Sequence, residues 1–62
     1  MENASFNFVL TLDAYFKNGH VVTFSPNKSL CRIIEILWDK KELVLLDQRG
    51  KLFLSRFSNI SL

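Results

Sequence analysis

The sequence predicts a mainly β domain, a small antiparallel sheet of about five strands curled into a barrel-like form. Three observations lead there. Turn signals recur after residues 18, 25, 39 and 47, a spacing of roughly 8 to 12 residues on average that belongs to small all-β domains. Leu43 to Arg56 (LVLLDQRGKLFLSR) consists of two apolar-rich runs separated by Asp47, Gln48, Arg49 and Gly50. Asp opening a type I turn, with a glycine three residues later able to take positive φ, is the chemistry of a hairpin loop closed by a G1 bulge. Near the start, Phe6, Phe8, Leu10 and Leu12 alternate with Ser5, Asn7, Val9 and Thr11, the period-2 pattern of a half-buried strand.

Taken in order, Ser5 to Leu12 is expected as the first strand. It runs on through Tyr15 and Phe16, with a bulge or bend at Asp13 and Ala14. Asn18-Gly19 suits a type I′ turn, and His20 to Phe24 (HVVTF) returns as the partner strand. Ser25, Pro26, Asn27 and Lys28 form a further turn.

The segment from Leu30 to Trp38 reads two ways. Leu30, Ile33, Ile34, Leu37 and Trp38 fit the helical template i, i+3, i+4, i+7, i+8, with Ser25 and Pro26 as a possible cap and first turn. Arg32, Ile34, Ile36 and Trp38 also alternate with Ile33, Glu35 and Leu37, and isoleucine and tryptophan favour strands. The strand reading gives the five-stranded barrel. The helical one gives a ββαββ layer with a helix at about 28–39. Asp39-Lys40-Lys41 turns the chain into the hairpin, and Phe57 to Leu62 (FSNISL) is expected as a short closing strand or docked terminus.

The chain of 62 residues is a single domain, 1–62, without linker, repeat or low-complexity segment. A domain this small buries only about 60% of its unfolded surface, so the core needs a supplement. Cys31 is the sole cysteine, which leaves no internal disulfide and no all-thiolate zinc site. Dense apolar packing and oligomerisation remain. With 48% hydrophobic residues and six Phe, one Tyr and one Trp, part of the apolar surface is expected to meet a second copy or a larger protein. Trp38, Phe6 and Phe8 are the candidate interface residues.

The formal net charge of +2 permits nucleic acid binding without arguing for it, because the basic residues are interleaved with acids. No positively charged leader is visible in MENASFNFVL. No apolar run approaches the roughly 18 residues a membrane span needs. The expectation is a cytoplasmic protein with no membrane partner, and the sequons at Asn3, Asn27 and Asn59 are read as coincidence.

Catalysis is not expected. His20 follows a turn glycine and Cys31 sits in an apolar run, with no orienting partner or oxyanion hole in view. Four of the six carboxylates lie at turns or near the start of the chain, which speaks against a general acid and base pair. The two glycines, Gly19 and Gly50, are each needed for a turn, so no phosphate cradle, cofactor or metal site is indicated. What remains is surface recognition. Arg49, Lys51 and Arg56 fall on or near the second hairpin with Phe53 and Phe57 between them, a combination suited to stacking on unpaired bases while neutralising phosphates.

The order of short motifs resembles a family. Trp38-Asp39-Lys40, the strand Leu43 to Leu46, Gly50-Lys51 and the closing Ile60-Ser61 are similar to the second half of Sm-like barrels, particularly of the bacterial RNA chaperone type. Phe16-x-Asn18-Gly19 resembles that family's first hairpin, so the likeness spans residues 15 to 61. The chain departs from the family in three places. Asn18 to Asp39 is longer than the usual bent strand pair, the strand at Ser5 to Leu12 replaces an N-terminal helix, and Phe57 and Ser58 stand where a Lys-His helps bind uridine. The resemblance implies a ring-shaped homo-oligomer but does not carry the RNA site over. The sequence thus leads to a non-enzymatic regulator acting through protein contacts, with single-stranded RNA or DNA binding by a small barrel as the alternative.

Overall fold

The computed structural model describes residues 2–62, with side chains from Phe6 onward. Its elements are α1 (Glu2–Asn18), β1 (Val21–Phe24), β2 (Ser29–Leu37), β3 (Glu42–Leu46), β4 (Leu52–Arg56), a single 3-10 turn (Phe57–Asn59) and β5 (Ile60–Ser61). All strand pairs are antiparallel, in the order β4-β3-β2-β1-β5. The sheet is mainly β as expected, five-stranded and curled into a half-barrel. In a flat sheet β1 and β4 would lie about 14 Å apart, three steps of roughly 4.8 Å. Yet the rings of Phe24 on β1 and Phe53 on β4 meet edge to face with centroids 5.0 Å apart. Only a curl that turns the inner faces toward each other allows this.

The first element corrects the sequence reading, because Ser5 to Leu12 lies within a helix rather than a strand. On a strand Phe6, Phe8, Leu10 and Leu12 would share one face. On a helix two residues span about 200°, so the same alternation separates two faces. Phe8, Leu12 and Tyr15, at i, i+4 and i+7, pack into the core, while Phe6 and Leu10 remain 63% and 54% exposed. An Asp13–Lys17 ion pair of 3.0 Å bridges one turn, the spacing at which helix neighbours meet.

Asn18-Gly19 consequently ends the helix instead of turning a hairpin. The Gly19 N–H donates to Phe16 O (3.3 Å) and the His20 N–H to Tyr15 O (3.0 Å), the paired bonds of a Schellman cap with Gly19 at φ 71°. A Cβ there would make only ordinary contact with Arg32, so the cost of a side chain is conformational. Gly19→Ala is expected to destabilise the fold by about 1 kcal/mol, measured by denaturant unfolding.

Residues 30–38 form a strand and its following turn, which removes the ββαββ alternative. The register of β2 against β3 shifts between Ile33 and Glu35, so Ile34 is an extra residue at a bulge. Ile33 is buried and Ile34 exposed, which shows why the helical template was matched by residues that share no face. The bulge also bends the long strand, whose first half pairs with β1 and whose second half pairs with β3.

The hairpin of β3 and β4 forms as read. Gly50 N–H donates to Asp47 O (3.1 Å), Asp47 N–H to Lys51 O (3.0 Å), and Gly50 takes φ 87°. After the 3-10 turn, β5 crosses back to β1 in the register Thr23↔Ser61 and Phe24↔Ile60. Ser25 N–H donates to Asn59 O at 2.7 Å and fastens this return. The core is Leu12, Val22, Cys31, Ile33, Leu43, Leu45 and Ile60. Leu12, Leu43 and Leu45 are fully covered, and each such burial is worth about 1.5–3 kcal/mol.

Candidate functional site

Alternation along the strands sorts side chains between the two faces of the sheet. Val22, Cys31, Ile33, Leu43, Leu45, Phe53 and Ser55 point inward. The outer face carries a cross-strand row of Val21, Arg32, Leu46 and Leu52. Leu54 stands one row further along, opposite Val44. Leu52 and Leu54 are 58% and 60% exposed. They lie on β4, whose other side pairs with no strand among the described residues, and the same holds for β5 at the opposite end. The sheet therefore ends in two free edges, one lined by leucines.

The residues nominated on the second hairpin are not one patch. Arg49 and Lys51 belong to its turn, and Arg56 ends β4 about 17 Å away at roughly 3.4 Å per residue. Phe53 lies between them but faces inward against Phe24, so it is not a stacking platform beside Arg56. Phe57, by contrast, meets two residues nominated separately as interface candidates. Its ring centroid lies 5.6 Å from Phe8 and 5.8 Å from Trp38. The cluster borders a groove of about 580 Å³ lined by Phe8, Val9, Trp38, Lys41, Phe57 and Ile60, with Ser58. An adjoining groove shares Lys41, Phe57 and Ser58 and adds Lys40, Glu42 and Arg56. Phe6, the remaining candidate, projects from the helix into solvent.

Lys40 and Lys41 escaped the sequence reading as site residues because they lie well before Arg56 in the chain and look like turn cations. The β3–β4 register, with Glu42 opposite Arg56, brings them together. A bond from Phe57 N–H to Lys41 O (3.0 Å) then ties the turn to the 3-10 segment. No signal in the sequence marks the two lysines, and the positive φ of 55° that Lys41 takes to close its turn is visible only in the structure.

Elsewhere the groups are structural. Cys31 is buried, its S–H directed to Ser29 O at 3.8 Å. Burial first, and the charge of Asp47 second, push its thiol pKa up, away from the thiolate a nucleophile needs. His20 is exposed and packs edge-on to Tyr15 at 5.4 Å. Among the described residues no three His, Cys, Asp or Glu side chains come together as a metal site. No helix is long and apolar enough to cross a membrane.

Asp47 organises the hairpin loop. Its Oδ1 accepts the N–H of Lys51 and of Arg49, each at 2.9 Å. The Lys51 bond foremost, joined by the Arg49 bond and the two nearby cations, outweighs the opposing desolvation and holds its pKa below the ordinary value. A lowered folded-state pKa contributes stability above the unfolded value that is lost as pH falls through the folded one. Acid unfolding should therefore show a limb below the usual aspartate range. That limb is expected to flatten in Asp47→Asn, which keeps the acceptor oxygen without the charge and so lacks the charge-dependent part of the stability at neutral pH, while Asp47→Ala, which loses the acceptor too, is less stable still.

Fold and surfaces together define a small half-open β-barrel with a packed N-terminal helix, two free strand edges and an aromatic groove with a cationic rim. No family model, curated protein or solved structure matches the chain.

Proposed function

We propose that this chain is a non-enzymatic, cytoplasmic binding protein that self-associates, the β4 edge of one copy pairing with the β5 edge of the next. The observation that carries this reading is the exposure of Leu52 and Leu54 beside the unpaired side of β4. Edge strands of monomeric proteins are blunted by lysine, proline or bulges. In β4, LFLSR, the sole charge is Arg56 at the end, and there is no proline. Joining unlike edges is a head-to-tail contact, which closes into a ring when each junction turns by a fixed angle, and the curl of the sheet supplies a turn.

The order of elements supports the Sm-like reading and the ring it implies. A helix precedes a four-strand meander, and a 3-10 turn leads to a last strand beside the first. The helix over residues 2–18 also stands where the sequence had suggested a departure from that family. Light scattering with size exclusion tests the proposal. A discrete mass several times 7.2 kDa is expected at micromolar concentration, and a clean monomer there would refute it.

A second reading has its own observation. Lys40, Lys41 and Arg56 line grooves beside the exposed Trp38 and the half-buried Phe57, a setting for single-stranded RNA. On that reading affinity for a short RNA falls steeply with salt through counterion release, and Arg56→Ala weakens it with the fold intact. No binding at low salt would dismiss it.

A further inference from the structure

Eight cations are scattered through the sequence, and the fold gathers three of them. Arg56 ends β4 opposite Glu42, the first residue of β3, so it stands beside the turn that carries Lys40 and Lys41. That turn is fixed by its backbone. The Lys40 N–H donates to Leu37 O (3.2 Å), the Lys41 N–H to Trp38 O (3.3 Å) and the Phe57 N–H to Lys41 O (3.0 Å). The three cationic side chains line one hollow of about 430 Å³ together with Glu42, Phe57 and Ser58. Ser58 is exposed and adds a hydroxyl donor. Among the described residues the one ion pair is Asp13–Lys17, so no carboxylate of those residues is paired with Lys40, Lys41 or Arg56. Asp39, in the same turn, does not line the hollow.

The number and placing of these charges select the ligand. Three cations against the carboxylate of Glu42 leave two positive charges at one spot. A phosphodiester inside a strand carries a single negative charge, whereas a phosphomonoester carries about −1.5 to −2 at pH 7. The remaining cations do not extend the cluster into a track for successive phosphodiesters. Arg49 and Lys51 belong to the turn at the far end of the hairpin, and Arg32, opposite Leu46, lies toward that end too. Lys28 stands before β2 and Lys40 after it, a whole strand apart, and Lys17 is paired with Asp13. We infer that the hollow is a site for a phosphomonoester dianion, the group found at a phosphorylated strand end or on a small phosphorylated molecule. Arg56 offers parallel N–H donors to its oxygens, Lys40 and Lys41 act as point charges, and the Ser58 hydroxyl donates a further bond. The inference uses cations that the RNA reading also uses, but it goes beyond that reading: no strand is required, and a strand that does bind is held by its end.

Inorganic phosphate is the direct probe. Titrated at low ionic strength into isotope-labelled protein, with sodium chloride of matched ionic strength as the control, it is expected to give saturating amide shifts at Lys40, Lys41, Arg56 and Ser58 and none at Arg49 and Lys51. Arg56→Ala, at an exposed position, is expected to weaken phosphate about tenfold, the worth of one charge-assisted contact. Lys40→Ala repeats the test should Arg56→Ala fail to fold. Glu42→Gln removes the opposing charge with little change of shape and is expected to tighten binding. Shifts no larger than those from chloride, or equal phosphate affinity in the wild type and the alanine variants, would overturn the inference. Two short single-stranded RNAs, one with a terminal phosphate and one with hydroxyls at both ends, then identify the source. Binding of the phosphorylated strand about tenfold tighter assigns the hollow to strand ends. If phosphate saturates the hollow while the strands bind equally, the site stands and its ligand is a small phosphorylated molecule. If phosphate saturates and neither strand binds at low salt, the site again stands and the RNA reading fails. Strands that bind equally while phosphate gives no specific shift remove the site and leave the RNA reading intact.

Discussion

Leu45→Asp is expected to abolish the folded state. Leu45 is fully covered, on the inner face of β3 opposite Ile33 on one side and Phe53 on the other. Aspartate there leaves a cavity and sets a carboxylate among apolar side chains with no partner, a combination that costs more than about 4 kcal/mol. A chain of this length has a total stability of roughly 3–9 kcal/mol, at about 0.05–0.15 kcal/mol per residue. Far-UV circular dichroism of the variant should therefore lack the sheet signal. Leu45→Ala, at about 2–5 kcal/mol, should retain it in the cold and melt early. A Leu45→Asp protein with a cooperative melt near that of the wild type would mean that β3 does not face the core.

Leu54→Asp, nine residues away on the partner strand, should do the opposite. Its side chain is 60% exposed on the outer face, so the fold is expected to survive within about 0.5 kcal/mol. A charge on an edge strand opposes strand addition. The light-scattering mass should accordingly fall to that of one chain. An unchanged mass would mean that copies are not joined through β4. The two variants together separate the two faces of one hairpin, which is informative because Leu45 and Leu54 are equivalent by composition.

The hairpin was legible because its instructions are local. Asp47 and Gly50 close the loop through bonds between near neighbours, and alternation on either side sets the faces. Turns at 25–28 and 38–41, and the closing strand at Ile60–Ser61, were legible for the same reason. The N-terminal segment misled because an alternation of apolar residues is also how two sides of a helix look when both are apolar. Its helical signals, Phe8, Leu12 and Tyr15 at i, i+4 and i+7, the Asp13–Lys17 spacing and a glycine stop, were present and outweighed by that alternation. Of the site residues, Phe8 and Trp38 were named as interface candidates and Phe57 with the hairpin cations, in two separate groups, and Lys40 and Lys41 were not named as site residues. Phe53 and Arg56 were placed together, although odd and even positions on β4 face opposite ways.

By itself the amino-acid sequence determined the mainly β class, the hairpin with its G1 bulge, the turns after Phe24 and Leu37 and the excess of apolar residues, since each depends on composition or on neighbours a few residues apart. Only the tertiary structure decided that residues 2–18 are helical, that β5 closes on β1, and that Phe8, Trp38, Lys41 and Phe57 border a single groove. Those outcomes depend on contacts between residues far apart in the chain. Such contacts are set by which apolar faces the curled sheet can cover, and that choice exists only once the strands have assembled.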